Sequence, residues 1–183
     1  MTFQPEFSPI RDSKGMPEVR VEVCSPESIR SLNEANFGGW HDRIMLRVVE
    51  FFVAPDDGAA VVVGPGRRGH GFPAFGCADF FPDDAVEDWE ILLVGGVASD
   101  LRAVVPMKND GFMVFEVPGR LCSALAAASR GQLFEVAAQW VELAEAKDGA
   151  PAEMAVEILT EVADLARTAG DLGQPLYCWY FAP

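Results

Sequence analysis

The sequence predicts an α+β domain, with a mainly antiparallel sheet, two or three C-terminal helices packed on one face of that sheet, and a final C-terminal strand. Three observations predict this class. Short segments with strand composition, separated by turn residues, occupy much of the chain before Gly119. Beyond Gly119 the chain is rich in alanine and repeats apolar residues at spacings of three and four, as helices do. The last residues are too apolar for a solvated tail, which predicts that they join the sheet.

One compact domain is expected from a chain of 183 residues. Residues 1–17 contain three prolines, one glycine and little periodicity, which predicts a flexible N-terminal arm ahead of a single domain at 18–183. A folded chain of this size buries roughly 70% of its unfolded surface, so the core needs neither a metal nor a disulfide.

Strand, helix and hairpin patterns follow one another in the first part of the domain. Residues 18–23 alternate charged and apolar side chains, which is typical of a strand with one wet face. A Ser-Pro-Glu start and a Phe-Gly-Gly stop bound a short helix at 25–36. The apolar runs at 44–54 and 59–63 flank an Asp-Gly pair, which predicts a β-hairpin, although a helix also fits the first run.

The middle of the chain is rich in turns. Residues 64–71 are predicted to form a glycine-rich loop. Residues 72–84 contain four phenylalanines without a clean period and are expected to cover one end of the core. An antiparallel meander is predicted next, with a turn at 108–111 between its last two strands. The three strands of this meander are predicted at 89–94, 101–105 and 112–117.

Two helices and a strand are predicted near the C-terminus. Residues 132–148 contain no glycine or proline and have one apolar face, which places Trp140 in the core. Pro151 occupies the first position of the next helix, whose glutamates form a solvated face opposite its apolar residues. Residues 176–181 are predicted to form a strand inserted into the sheet.

The charge of the chain argues against two classes of partner. The chain has 28 acidic and 14 basic residues, and its net charge of -14 repels nucleic-acid phosphates and anionic lipid surfaces. We therefore expect no nucleic-acid partner and no membrane partner. No apolar run reaches the roughly 20 residues of a membrane span, and no secretory signal is recognised at the start, so a cytoplasmic location is predicted.

The spacing of cysteine and histidine limits the chemistry. The four cysteines lie far apart without a C-x-x-C pair, and only His41 and His70 supplement them, so neither a metal site nor a cofactor is predicted. Reduced, mostly buried thiols are typical of a cytosolic chain. Cys77 or Cys122 acts as a nucleophile only if the fold brings a histidine close to it.

Two segments form a candidate anion or ligand site. The loop at 64–71 has glycines that can arrange backbone amides around an anion, and it contains two arginines. Residues 40–43 place an imidazole beside a carboxylate, but adjacent side chains on a strand point to opposite faces and form no dyad with each other. The alternative interpretations are a solvated turn and a strand-entry turn bonded to the backbone. The residues of this candidate ligand site are Arg67, Arg68, His70, Trp40 and His41.

The segment between Arg68 and Arg102 is the most informative feature. It contains no lysine or arginine and seven acidic residues, which account for half of the net charge. Aromatic residues are interleaved with the acids. Such a surface suits a basic protein partner, because charge steers the encounter and aromatic rings supply contact area. In the alternative interpretation, the acids keep the chain soluble while the aromatic residues fill the core. The predicted partner-binding residues are Asp79, Asp83, Asp84, Glu87, Asp88, Trp89 and Glu90.

Two stretches resemble a known group of proteins. Residues 37–44, Phe-Gly-Gly-Trp-His-Asp-Arg-Ile, resemble the GG-aromatic-HD opening of small bacterial domains, some of which are grouped with the immunity proteins of polymorphic toxin systems. The C-terminal stretch from Val136 to Trp179 is similar to the tail of short acidic bacterial proteins of that kind. The resemblance implies a non-catalytic cytosolic protein that neutralises a toxin enzyme, and it carries over no catalytic residue.

A binding protein is the first functional hypothesis. It is an immunity-like inhibitor whose acidic and aromatic surface covers the basic active site of a toxin or effector enzyme, without a cofactor. The second hypothesis is a small-molecule enzyme that uses His41 or His70 with a carboxylate. The third is a structural or phage-type interaction protein.

Overall fold

The computed structural model of the protein describes residues 47–64, 71–145 and 152–182. Within these ranges it confirms the α+β class. Five strands form one sheet in the order β2-β1-β5-β4-β3, and every neighbouring pair is antiparallel. The strands are β1 (Val48–Val53), β2 (Ala74–Ala78), β3 (Arg102–Val105), β4 (Phe112–Glu116) and β5 (Leu176–Phe181).

Four of the five helices in the described ranges pack on one face of this sheet. The helices are α1 (Asp57–Ala60), α2 (Pro82–Val94), α3 (Gly119–Ala127), α4 (Arg130–Glu145) and α5 (Ala152–Leu172). The longest helix, α5, contacts β1, β2 and β5, while α3 and α4 pack against α5, and α2 packs against α3 and α4. No helix in the described part of the chain is both long enough and apolar enough to cross a membrane.

The sheet separates two cores. Successive side chains of a strand point to opposite faces, so Phe51 of β1 belongs to the large core under the helices while Phe52 belongs to a smaller core on the other face. The smaller core includes Ala60 of α1 and Val63 from the turn after it. The one-turn helix α1 and the turn after it therefore cover part of the second face.

The predicted C-terminal strand is confirmed, and it lies at the centre of the sheet. β5 pairs with β1 on one side and with β4 on the other. Its first five residues, from Leu176 to Tyr180, are all buried and alternate between the two cores. The strand thus connects the two halves of the sheet and contributes side chains to both cores.

The predicted hairpin of β3 and β4 is also confirmed, together with its turn at 108–111. The N–H of Gly111 donates to the carbonyl oxygen of Lys108 at 2.9 Å, and Gly111 has a φ of +79°. A Cβ atom at this position would lie 1.9 Å from the carbonyl oxygen of Ala182. Glycine is therefore required here by both conformation and space.

The strand predicted at 89–94 is wrong, because these residues form the second half of α2. Pro82 lies at the start of the helix, Asp83 and Asp84 are in its first turn, and Gly95 follows its last residue with a φ of +80°. Proline at the start, acids near the positive end of the helix dipole and a terminal glycine are all helix signals. They outweigh the strand-like composition of one short apolar run, and the predicted meander is reduced to the hairpin of β3 and β4.

The hairpin predicted for 44–54 with 59–63 is wrong as well. β1 confirms a strand in the first run, but the side chain of Asp56 accepts a hydrogen bond from the N–H of Ala59 at 2.8 Å and caps α1. This N-cap starts a helical turn in place of a hairpin turn. Residues 59–63 consequently form no strand, and β1 pairs with β2 across a longer connection.

Both predicted C-terminal helices are confirmed as α4 and α5, and the predicted burial of Trp140 is confirmed too. The arm at 1–17, the strand at 18–23 and the helix at 25–36 lie outside the described residues.

Candidate functional site

The predicted partner-binding residues lie on α2 and on the turn before it, but the structure exposes only some of them. The exposed or partly buried ones are Asp79, Asp83, Asp84 and Glu87, and the buried ones are Asp88, Trp89 and Glu90. We call Asp83, Asp84 and Glu87 the acidic end of α2. The surface accessible to a partner is narrower than predicted, because three of the seven residues are inside the protein.

The acidic end begins where α2 has no side-chain cap. Phe81, at the N-cap position, makes no side-chain capping hydrogen bond, and the negative side chains of the first turn lie at the positive end of the helix dipole. Asp83 also accepts a hydrogen bond from the hydroxyl of Tyr180 at 3.2 Å through one carboxylate oxygen. Its other carboxylate oxygen is buried and has no hydrogen-bond partner among the described residues. Burial, and then the nearby charge of Asp83, raise the pKa of Tyr180. Asp83 is thus part of the packing against the sheet, whereas Asp84 and Glu87 face solvent.

Arg47 packs against Phe81, the residue just before α2. The guanidinium carbon of Arg47 lies 3.8 Å from the centroid of the Phe81 ring. The carbonyl oxygen of Arg47 accepts from the N–H of Asp79 at 3.1 Å, and Asp79 has a φ of +68°. Burial raises the pKa of Asp79, and the charge of Arg47 opposes that shift. Arg47 covers one face of the Phe81 ring, so less of that aromatic surface is available to a partner.

The aromatic residues of the segment mainly fill the core, as the alternative interpretation of the sequence held. Trp89 has an exposed fraction of 0% and packs edge-on against Trp140, with ring centroids 5.0 Å apart. Phe80 packs edge-on against the same ring at 5.6 Å. Trp89 therefore lies inside the core in this fold and not on a surface that is open to a partner.

Glu90 has a structural role where a partner contact was predicted. Only 1% of its side chain is exposed, and its two carboxylate oxygens accept from the backbone N–H of Ser99 at 2.7 Å and from the hydroxyl of Ser99 at 2.8 Å. The guanidinium of Arg120 on α3 lies 3.4 Å from the same carboxylate. Glu90 thereby holds the loop at 95–100 against the end of α2 and joins both to α3.

We expect Glu90→Ala to lower the free energy of unfolding by about 2–3 kcal/mol, because it leaves the donors of Ser99 without their acceptor. Urea unfolding followed by circular dichroism measures this loss. Glu157→Ala on the exposed side of α5 is the matched control, with an expected change within about 0.5 kcal/mol. Equal losses in the two variants would contradict the role assigned to Glu90.

A second charged cluster was not predicted from the sequence. Arg102 on β3 makes two hydrogen bonds to Asp57 of α1, at 2.8 and 2.9 Å, and its Nε donates to Glu116 of β4 at 2.7 Å. The hydroxyl of Tyr177 on β5 also donates to Asp57, at 3.0 Å. These hydrogen bonds, Arg102's first, hold the pKa of Asp57 below its usual value. The cluster connects α1 to three strands, and both of its carboxylates are hydrogen-bonded within it. Its members lie in four separate elements, so no local sequence pattern signals it.

Cys77 and Cys122, the two candidate nucleophiles, lie in surroundings that favour the protonated thiol. Burial, and then the charge of Glu116, raise the pKa of Cys122 to about 12, and burial together with Glu50 raises the pKa of Cys77. Both thiols are therefore protonated at neutral pH and are weak nucleophiles. The residues of the candidate ligand site all lie outside the described residues; they are Arg67, Arg68, His70, Trp40 and His41.

A cavity of about 290 Å³ lies beside Cys122, between α3, the end of α5 and the start of β5. Its walls are mostly alanine, glycine and aliphatic side chains. The thiol of Cys122 points to the carbonyl oxygen of Val117 at 3.6 Å, and the hydroxyl of Ser123 donates to the carbonyl oxygen of Gly119 at 2.8 Å. Its one carboxylate, that of Glu116, is already paired with Arg102. The lining thus offers no acid and base pair.

Within the described ranges, no group of three or more histidine, cysteine or acidic side chains is arranged to hold a metal ion. Comparison of the chain with protein-family models, with curated proteins and with solved structures found no match.

Proposed function

We propose that the protein is a non-catalytic cytoplasmic binding protein, an immunity-like inhibitor that neutralises a basic toxin or effector enzyme through the acidic end of α2. The supporting observation is that Asp84 and Glu87 are exposed on a helix within the stretch between Arg68 and Arg102, which has no lysine or arginine. The resemblance of residues 37–44 to immunity-type proteins agrees with this role.

Electrostatics explains how such an inhibitor works. Enzymes that act on polyanions have basic clefts, and protein carboxylates bind there in place of the substrate. The net charge of -14 attracts a basic protein over several ångströms and repels nucleic acid and anionic membranes. The inhibitor itself needs no reactive group.

The small-molecule enzyme hypothesis has less support. The histidines that it uses, His41 and His70, lie outside the described residues. Among the described residues, the buried thiols of Cys77 and Cys122 have raised pKa values, and the cavity beside Cys122 has no acid and base pair in its walls. A binding role requires neither feature, and it uses the side chains that the fold leaves exposed.

We expect the double variant Asp84→Lys/Glu87→Lys to associate with the basic partner at least about tenfold more slowly at low salt, because long-range attraction is lost. The partner is first isolated by co-purification with the tagged full chain from its native host, and stopped-flow fluorescence then gives association rates at low and high salt. The wild-type rate should fall steeply as salt rises.

The matched control is Glu157→Lys/Glu161→Lys, which makes the same change of charge on the exposed side of α5. Asp83 and Asp88 stay unchanged, because Asp83 bonds to Tyr180 and Asp88 is buried. If the α2 and α5 variants slow association equally, net charge alone matters and the acidic end is not the contact. If neither has any effect, the proposed function is wrong.

A further inference from the structure

The exposed side of α2 is divided into an acidic half and an aliphatic half. The exposed residues of this helix are Asp84, Glu87, Ile91 and Val94. At 3.6 residues per turn, their positions fall within an arc of about 80° and extend over about 15 Å of the helix axis. They therefore form one continuous stripe, with carboxylates near the start of the helix and branched aliphatic side chains near its end.

Val97 is a further exposed aliphatic residue, on the loop that directly follows the helix and three positions after Val94. It follows Gly95 and Gly96, whose φ values of +80° and +82° turn the chain out of the helix, and it is 85% exposed. The loop that carries it is held in place, because the buried carboxylate of Glu90 accepts both hydrogen bonds from Ser99. An exposed aliphatic side chain on a loop fixed in this way loses little conformational entropy when it is covered.

We propose that Asp84, Glu87, Ile91, Val94 and Val97, here called the mixed stripe, form one docking surface for a protein that presents cationic side chains directly beside an apolar patch. This inference rests on the proposed function and deepens it. The sequence predicts that aromatic rings supply the contact area of this surface. Because Trp89 and Phe80 are in the core, aliphatic side chains supply that area instead. Charge complementarity selects the partner, and the aliphatic half provides desolvated contact at the centre of the interface.

A second copy of this chain fits the mixed stripe poorly. In a two-fold antiparallel pairing, Asp84 and Glu87 of one copy would lie against the aliphatic half of the other and lose their water. In a parallel pairing, like charges would face each other. A basic partner satisfies both halves at once.

The test uses a defined probe, a 14-residue amidated helical peptide with two lysines followed by three leucines along one face. The isotope-labelled full chain is titrated with it while amide resonances are recorded by NMR. The expected shifts are concentrated in residues 84–97. A second peptide, in which glutamine replaces the three leucines, should bind at least about tenfold more weakly, because it retains the charge and lacks the apolar contact.

Variants of the protein give the matched comparison. Ile91→Ser/Val94→Ser/Val97→Ser should weaken binding of the leucine peptide about tenfold or more. The control Met107→Ser/Leu143→Ser/Leu172→Ser removes three comparably exposed apolar side chains elsewhere and should leave binding unchanged. Circular dichroism melting verifies that both variants fold. If a variant does not fold, the comparison of the two peptides still tests the proposal, because it uses only the wild-type protein.

Equal affinity for the two peptides, or shifts centred outside residues 84–97, would overturn the mixed stripe as the docking surface. Self-association of the full chain through residues 84–97, seen as concentration-dependent shifts without peptide, would overturn it too. These outcomes are distinct from failure of the proposed function, which is tested on the co-purified partner. If association with that partner depends on salt and slows with Asp84→Lys/Glu87→Lys but not with the triple serine variant, the proposed function stands. Only the aliphatic contact is then wrong.

Discussion

A chain that ends at Pro175, without β5, should have no cooperative unfolding transition. β5 is hydrogen-bonded to β1 and to β4, so its loss separates the sheet into a β2-β1 pair and a β4-β3 pair. It also removes five buried residues, among them Tyr177 and Trp179, and uncovers both cores. Isolated two-stranded pairs are marginally stable in water.

Thermal melting by circular dichroism and amide dispersion in NMR spectra report this loss. The control is deletion of residues 1–8, the same number of residues from the opposite end of the chain. A truncated chain with a sharp transition at the wild-type melting temperature would contradict the central position of β5.

Trp140→Ala should lower the free energy of unfolding by about 3–5 kcal/mol, as expected when a large aromatic side chain is removed from a packed core. Trp140 is 2% exposed and is the ring against which Trp89 and Phe80 pack edge-on. Its loss therefore leaves a cavity between α2 and α4 and removes two aromatic contacts.

Urea unfolding by circular dichroism provides the measurement, since it does not depend on the deleted fluorophore. Phe134→Ala on the same helix is the matched control, because Phe134 is 61% exposed and its truncation should change stability by less than about 0.5 kcal/mol. Similar losses in the two variants would mean that Trp140 is not the centre of this core.

The C-terminal part of the fold was predictable because its patterns are long. Residues 132–148 and the helix after Pro151 repeat their apolar positions over several turns, and the last strand is apolar throughout. The failures came from short patterns. The run Trp-Glu-Ile-Leu-Leu-Val at 89–94 has strand composition, and only the proline and acids upstream and the glycines downstream mark it as part of a helix. At 56–58 the Asp-Asp-Gly sequence fits a hairpin turn and an N-capped helix equally well.

The candidate site was predictable in its charges but not in its burial. The absence of lysine and arginine between Arg68 and Arg102 is visible in the sequence, and the exposed acids do lie there. The burial of Glu90 depends on Ser99 in a loop and on Arg120 in another helix, so its neighbours in the sequence do not reveal it. The aliphatic half of the mixed stripe becomes recognisable only once residues 82–94 are known to be helical, because periodicity decides which side chains share a face.

The position of β5 also determines when the protein can fold during its synthesis. Glu50 and Trp179, which are hydrogen-bonded to each other across β1 and β5, are 129 positions apart in the chain. The hydrogen bonds within each helix are local and can form as the helix leaves the ribosome, but the middle of the sheet stays open until Phe181 has also emerged. Until then β1 and β4 each present an unpaired edge. In a nascent chain these edges are consequently exposed to aggregation and to chaperones until β5 follows, and a chain that stops before β5 never closes its sheet.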